Sequence, residues 1–248
     1  MSASERNAHK FMNAWTRRDL TIVPITKQDC LVIACDSCGA IGTKRGDAYK
    51  VLPRIAAMFT ARVALTEILC SGATPFAITN GVSCEMNPTG IETILGIKDE
   101  IKNAGLSDIV LTGSTEENYE TSMTAMAITV VGRVEKAALK FKVANSGDAI
   151  MLLGTPCVGS EVDLKSLGYY TDIRKMLKMD EVKEIVPVGS KGIAYEAKTV
   201  AAYSGLTPQL FETGIDYTKS AGPATCILVL CDEAATASIP GIVIGKML

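Results

Sequence analysis

Three stretches of this sequence gather carboxylate, glycine, hydroxyl and lysine residues at spacings suited to a polyanion. The first, Asp36-Ser37-Cys38-Gly39-Ala40-Ile41-Gly42-Thr43-Lys44, follows an apolar strand pattern and offers backbone amides, a lysine and an acid. Those are the ingredients of a phosphate and Mg²⁺ loop. It lacks the glycine spacing and the Gly-Lys-Ser/Thr end of the Walker pattern, and an ordinary glycine-rich turn has the same composition. The second is a helical pattern over 54–71. At about 100° per residue, Ile55, Met58, Phe59, Leu65 and Leu69 share one side, while Thr60, Ala64, Glu67 and Ser71 share the other. One carboxylate among small residues suits close approach of a polyanion with its metal, because Mg²⁺ takes only one or two protein carboxylates beside phosphate oxygens. A solvated helix face is the competing reading. Arg62 stands near the apolar stripe, where its charge must snorkel or meet a carboxylate or phosphate. The third stretch is Thr112-Gly113-Ser114-Thr115-Glu116-Glu117-Asn118. Its Glu116 and Glu117 either join Asp36 and Glu67 as cation ligands or form a charged surface turn.

Other chemistries find little support. The chain has one histidine, His9, in a polar leader, which removes a fixed Ser-His-Asp or Cys-His site and any multi-histidine metal site unless that leader folds over the centre. Cys35 and Cys38 form a C-x-x-C pair with Cys30 nearby, but no second pair completes a zinc site. We read them as structural thiols. Gly189-Ser190-Lys191-Gly192 opens a helix and is either a second anion site or a plain helix entry. With 25 basic against 27 acidic residues and 5% aromatics, phosphate tracking and base stacking lack their usual side chains, so nucleic acid is not expected as a partner. No apolar run reaches the roughly 18–20 residues of a membrane span. The expectation is a soluble, cytoplasmic protein.

The elements that must position these residues follow from pattern. Residues 1–17 read as the leader, 18–136 as a first domain and 137–248 as a second, with the charged stretch 135–142 as the boundary. Strands are expected at 20–25 and 30–36. The second is apolar nearly throughout, as in a strand covered on both faces, with Asp36 at its exit. Pro53 starts a helix at 54–71 that Gly72 and Pro75 stop. A strand at 76–85 precedes a helix at 88–104, with Asn87 and Pro88 at its start and Gly105 at its end. Strands at 108–111 and 123–132 complete a β-β-α-β-α-β-β unit of α/β type. The second domain shows strands at 148–153 and 227–230, helices near 160–178 and a helix over 189–203.

Taken together, Asp36 to Lys44, then Glu67 followed by Gly72-Ala73-Thr74-Pro75, then Gly113-Ser114-Thr115 with Glu117, resemble an ATP-dependent superfamily. It includes aminoimidazole ribonucleotide synthetase, selenophosphate synthetase and thiamine-monophosphate kinase. The resemblance covers most of 20–155. Ser114 stands where the family pattern has a carboxylate, leaving Glu116 or Glu117 to replace it. The strings Ala34-Cys35-Asp36-Ser37-Cys38-Gly39, Phe59-Thr60-Ala61-Arg62-Val63-Ala64-Leu65 and 111–118 look closest to the α-ribazole kinase branch, a cobalamin-salvage kinase.

The resemblance implies a ferredoxin-like N-terminal half that dimerises into a β-barrel, and a shortened C-terminal α/β domain. ATP and Mg²⁺ are the implied cofactors, a nucleoside the substrate, and a homodimer the assembly. Asp36, Lys44 and Arg62 are the implied catalytic residues. Gly39, Asp47, Gly113, Ser114, Thr115 and Glu117 join Asp36 and Lys44 around the nucleotide. Asp36, Glu67, Glu116 and Glu117 are the implied metal ligands. The rivals are another kinase or synthetase of the superfamily and a nucleotide-binding regulator without turnover.

Overall fold

The computed structural model describes residues 13–163 and 169–248; His9 and most of the expected leader lie outside them. A six-stranded sheet occupies the first half, in the order β1-β2-β3-β8-β6-β7. Its strands are β1 (Trp15–Arg17), β2 (Leu20–Pro24), β3 (Asp29–Gly39), β6 (Thr74–Val82), β7 (Val110–Thr115) and β8 (Ala125–Glu135). All neighbours are antiparallel except β6 and β7. A small pair, β4 (Ile41–Gly42) and β5 (Tyr49–Lys50), folds the loop after β3.

Two helices, α1 (Pro53–Cys70) and α2 (Ile91–Asn103), cover one face. Cys30, Val32, Ala34, Ile78, Ile128 and Val130 are buried beneath them, as the two-residue period of a half-covered sheet requires. Leu31, Ile33 and Val131 point the other way and are half-buried, and Cys35 is exposed. The apolar run of β3 is therefore covered on one face, not two, because both helices lie on the same side. The implied barrel is not formed by one chain, whose open sheet ends at β1 and β7.

Burial on α1 takes in both of its expected sides. Thr60, Ala64, Glu67 and the following Ser71 are buried, and so are Leu65 and Leu69, while Ile55, Met58 and Phe59 toward its start are half-exposed. Alanines allow α1 to lie close on the sheet, and Gly132 makes room for it, since a Cβ there would stand 2.6 Å from Ile68 Cγ2. At Gly96 of α2 a Cβ would lie 2.0 Å from the Arg54 carbonyl oxygen, so the two helices touch backbone to backbone. A wide helical turn at Met86–Gly90, which holds the expected start at 88, leads directly into α2. Asn87 is extended (φ −117°, ψ 116°), and the segment ahead of the helix is tied down by Met86 N–H donating to Glu117 and by Thr89 Oγ1 donating to Glu85. Residues 112–115, expected as a loop, extend β7 alongside 79–82 of β6.

The second half is an antiparallel sheet, β10-β12-β9-β13-β11. It comprises β9 (Ala149–Gly154), β10 (Val182–Pro187), β11 (Pro208–Leu210), β12 (Cys226–Cys231) and β13 (Ile242–Met247), with helices α3 (Tyr170–Met176) and α4 (Ile193–Tyr203). β10, β11 and β13 add to the two strands expected from the sequence, and only β11 is shorter than these. The helical stretch near 160–178 reduces to α3 and a single turn at Gly159–Glu161, with 164–168 outside the described residues. Both faces of β12 are buried. Cys226, Leu228 and Leu230 pack with α4, and Ile227, Val229 and Cys231 pack on the other side with Ile173, Leu69, Cys70 and Ala104. The ends of α1 and α2 therefore belong to the core of the second half as well.

Polar contacts tie the halves further. Arg18 is almost wholly buried between Glu67 (2.8 Å) and Glu184 (3.3 Å), and Arg17 in β1, inside the expected leader, pairs with Glu184 at 2.6 Å. At the boundary, Lys140 N–H donates to Ser71 O at 2.9 Å, and its buried ammonium donates to Met179 O at 2.7 Å. Burial lowers that lysine's pKa.

Candidate active site

Asp36 lies inside β3, paired with Ile128, three residues before the strand ends. The pleat turns its side chain to the helix face. Burial pushes its carboxyl up to about 6, with the Ser37 amide pulling the other way and the charges of Asp19 and Glu67 adding to the rise. Asp36 borders a cavity of about 540 Å³ between the two halves. Ile55, Phe59 and Val63 of α1 and Tyr49 of β5 line it from one half, and Val158 and Pro223 from the other. Among the described residues Asp36 is the only charged side chain in that lining. Gly159 approaches Tyr49 across the mouth, where a Cβ would stand 3.9 Å from the ring.

The opposite face of the same strand end forms a shallow groove of small polar residues, Ser37, Gly39, Gly81, Ser83, Ser114 and Glu116. Register explains it: Ser37 pairs with Ala127, Ala127 with Gly81, and Gly81 with Ser114. Ser37, Cys38 and Gly39 wall both hollows. At Gly113 a Cβ would be 2.2 Å from Asn80 Oδ1, so the glycine allows β7 to sit against β6. As the terminal strand, β7 keeps an unpaired edge that holds the Gly113 to Thr115 segment.

The loop after β3 is fixed by Asp47. Its Oδ1 accepts from Thr124 N–H at 2.7 Å, and its Oδ2 accepts from Lys44 N–H at 2.7 Å and Thr124 Oγ1 at 2.8 Å. Burial works against ionisation there, but these donors outweigh it and the carboxyl is held below its ordinary value. The structure thus engages Asp47 as a loop staple. Lys44 Nζ pairs with Glu85 at 2.5 Å. Glu116 accepts from the Asn118 and Tyr119 amides, and Glu117 from Met86 N–H and Thr115 Oγ1. Both order the turn after β7.

Asp36 and Glu67 are brought into one electrostatic neighbourhood, whereas Glu67 itself is paired with Arg18 and raised in pKa by its burial. Arg62 lines neither hollow. It is buried against Glu100 (3.1 Å) with its guanidinium over Tyr169 and Tyr170, and Tyr170 Oη donates to Glu100 at 2.5 Å. Sequence reasoning passed over Arg18, Asp19, Glu85 and Glu196. The run Arg17-Arg18-Asp19 ahead of β2 was the available signal for the first two. A third hollow of about 250 Å³ joins Arg18, Asp19, Lys191 and Glu196 at the start of α4, and burial pushes Glu196 up to about 7.

No group of three or more His, Cys, Asp or Glu side chains is placed as a metal cage among the described residues. A Mg²⁺ ion that arrives with phosphate oxygens needs only one or two carboxylates; Asp36 borders the cavity, whereas Glu67 is engaged by Arg18 and lines none of the three hollows.

These elements are those of a known domain type. Residues 17–134 match the family model of AIR synthase related protein, N-terminal domain. No curated protein matches the chain. Among solved structures, Thermotoga maritima PurL complexed with AMPPCP is similar at TM-score 0.69 and 16% identity, over 92% of this chain and 42% of that one. The chain thus spans less than half of PurL. Thiamine monophosphate kinase from Aquifex aeolicus is similar at TM-score 0.68 and 13% identity, over 92% and 88%. The ThiL complex with AMPPCP and TMP gives 0.65 and 12%, over 98% and 87%.

Proposed function

We propose that the chain is an ATP- and Mg²⁺-dependent small-molecule kinase that phosphorylates the 5′-hydroxyl of α-ribazole and works as a homodimer. The observation that carries this reading is the end of β3. There an acid of raised pKa faces a cavity sized for an organic acceptor, and the next three residues, Ser37 to Gly39, also wall a groove of glycine and hydroxyl groups on the other face. The family match of the first half and the likeness to two proteins complexed with AMPPCP support it.

Phosphoryl transfer rests on positioning and electrostatic stabilisation, which needs no histidine. In this reading Asp36, ionised at neutral pH, accepts the proton of the acceptor hydroxyl. Lys44 leaves Glu85 to offset charge on the transferred group, and the free edge at Gly113, Ser114 and Thr115 supplies amides beside Gly39. Mg²⁺ supplies charge neutralisation along the phosphates, with Asp36, Glu67, Glu116 and Glu117 as its proposed holders. Asp47 keeps the loop in shape, and Arg62 acts from a distance by setting α1 against α2 and α3. The half-buried Leu31, Ile33 and Val131 form the face that a second copy would cover. A dimeric mass in solution that falls to a monomer in Ile33→Glu supports that assembly.

The test is transfer from ATP with Mg²⁺ to a nucleoside panel that includes α-ribazole, read by product mass. One added phosphate on α-ribazole alone is the expected result. Product on another acceptor keeps the phosphotransferase and replaces its substrate; no product despite AMPPCP binding removes the kinase reading.

A further inference from the structure

We infer that the hollow at the start of α4 binds a small zwitterion, a free α-amino acid, with its ammonium group at Glu196 and Asp19 and its carboxylate at the Gly189 to Gly192 turn and Lys191. None of the residues around this hollow has a part in phosphoryl transfer, so the site stands or falls apart from the kinase reading.

The acceptor end is Glu196. It stands in the first turn of α4, is 8% exposed and accepts no hydrogen bond from any described residue. A Cβ at Gly189 would lie 3.7 Å from its Oε1, so the carboxyl is turned to the loop that opens the helix, where both residues line the hollow. Burial pushes it up to about 7, against the pull of Arg18 and Lys191 and with the charges of Glu67 and Asp19 adding to the rise. Arg18 does not quench it. Its Nη1 is held by Glu67 at 2.8 Å and its Nε by Glu184 at 3.3 Å, its amide donates to Tyr203 Oη at 2.9 Å, and its buried Nη2 reaches no acceptor among the described residues. A buried carboxylate left without donors is costly, and an ammonium group supplies them best, through charge-assisted hydrogen bonds. Asp19, exposed and in the same lining, adds a second negative charge.

The donor end is the turn itself. The amides of Ser190 and Lys191 donate to no carbonyl among the described residues, and they precede an 11-residue helix whose start favours negative charge. Lys191 adds a cation kept beside the hollow by Tyr195, with Nζ 3.1 Å from Oη and 4.3 Å from the ring centre. Thr199, whose hydroxyl donates to Tyr195 O at 2.9 Å, closes the lining together with Tyr203. Charge decides the ligand class. Inorganic phosphate would meet two carboxylates, a repulsion that partial burial strengthens, and a simple amine would leave the turn and Lys191 without a partner. A volume of about 250 Å³, below the range of drug-sized pockets, suits a single amino acid.

Calorimetric titration of the full chain with a panel of L-α-amino acids, and with the amide and the N-acetyl derivative of any that binds, tests the site. At least one amino acid is expected to bind, and removal of either charge, in the amide or the N-acetyl form, to weaken it by about tenfold. Glu196→Gln and Lys191→Met are each expected to weaken the free amino acid by about tenfold, with far-ultraviolet dichroism unchanged. Lys191 is exposed, so its variant and the two derivatives decide the matter even where Glu196→Gln does not fold. No amino acid bound, a derivative bound as tightly as its parent, or equal binding by the folded variants overturns the inference. Binding of inorganic phosphate that Lys191→Met abolishes, or of Mg²⁺ that Glu196→Gln abolishes, also overturns it, because the hollow is then an anion or a cation site.

Discussion

Asp36 combines burial on the helix face of β3 with a position at the edge of the cavity, and its carboxyl consequently titrates at about 6. Replacing it with asparagine is expected to lower kcat by about 10²–10⁴-fold with the fold retained, as read by far-ultraviolet dichroism. The wild-type rate should rise through about pH 6 as the carboxylate forms; a rate that is flat across that range removes Asp36 as the base. Glu196 makes a stability prediction of definite sign. Its folded value of about 7 exceeds the ordinary glutamate value, so the folded state binds the extra proton and stability falls as pH rises between the two. Glu196→Gln should therefore raise the melting temperature at about pH 8 and leave it unchanged below about pH 4. At this scale the sequence displays residue types but not their partners. Asp36, Lys44 and Asp47 stand out within a glycine-rich run, yet Thr124, which fixes Asp47, lies 77 positions away. The burial that shifts Asp36 comes from elements that meet only in the folded chain.

α1 organises the molecule because both of its sides are used. Its contact with α2 depends on Gly96, and Gly96→Ala is expected to force the helices apart and cost about 1–3 kcal/mol, read from chemical denaturation. Next to it, Arg18→Met strands the buried carboxylate of Glu67, while Glu184 keeps Arg17, with an expected loss of about 3–5 kcal/mol. Adding Glu67→Gln should recover part of that loss, and no recovery would show that Arg18 acts through packing alone. Pro53 and the stop at Gly72 made this helix readable from sequence. Its apolar stripe did not show that the other side is buried too, because alanines and threonines can also be an inner surface when two layers close on a helix. Asn87 and Pro88 point to the start of the helical segment, where a wide turn at Met86–Gly90 precedes the regular α2. Short strands such as β11, with three residues, carry too little periodicity to be seen.

At the scale of the whole chain, β8 of the first sheet ends at Glu135 and β9 of the second begins at Ala149, with the charged stretch 135–142 between them. What composition conceals is the interlock. Leu69, Cys70 and Ala104 fill the second core, Arg62 and Glu100 reach Tyr170, and Lys140 pins the linker to Ser71 and Met179. Heat or denaturant is therefore expected to unfold both halves in one transition, with near- and far-ultraviolet dichroism coinciding; two separate transitions would contradict this coupling. The shared helix also limits recombination. A chimera joining residues 13–135 to the second half of a relative would inherit a sheet with foreign side chains opposite Leu69, Cys70 and Arg62. Exchanging acceptor specificity among such proteins would then call for transplanting cavity loops such as 158–162 and 222–223, with the half that carries them left in place.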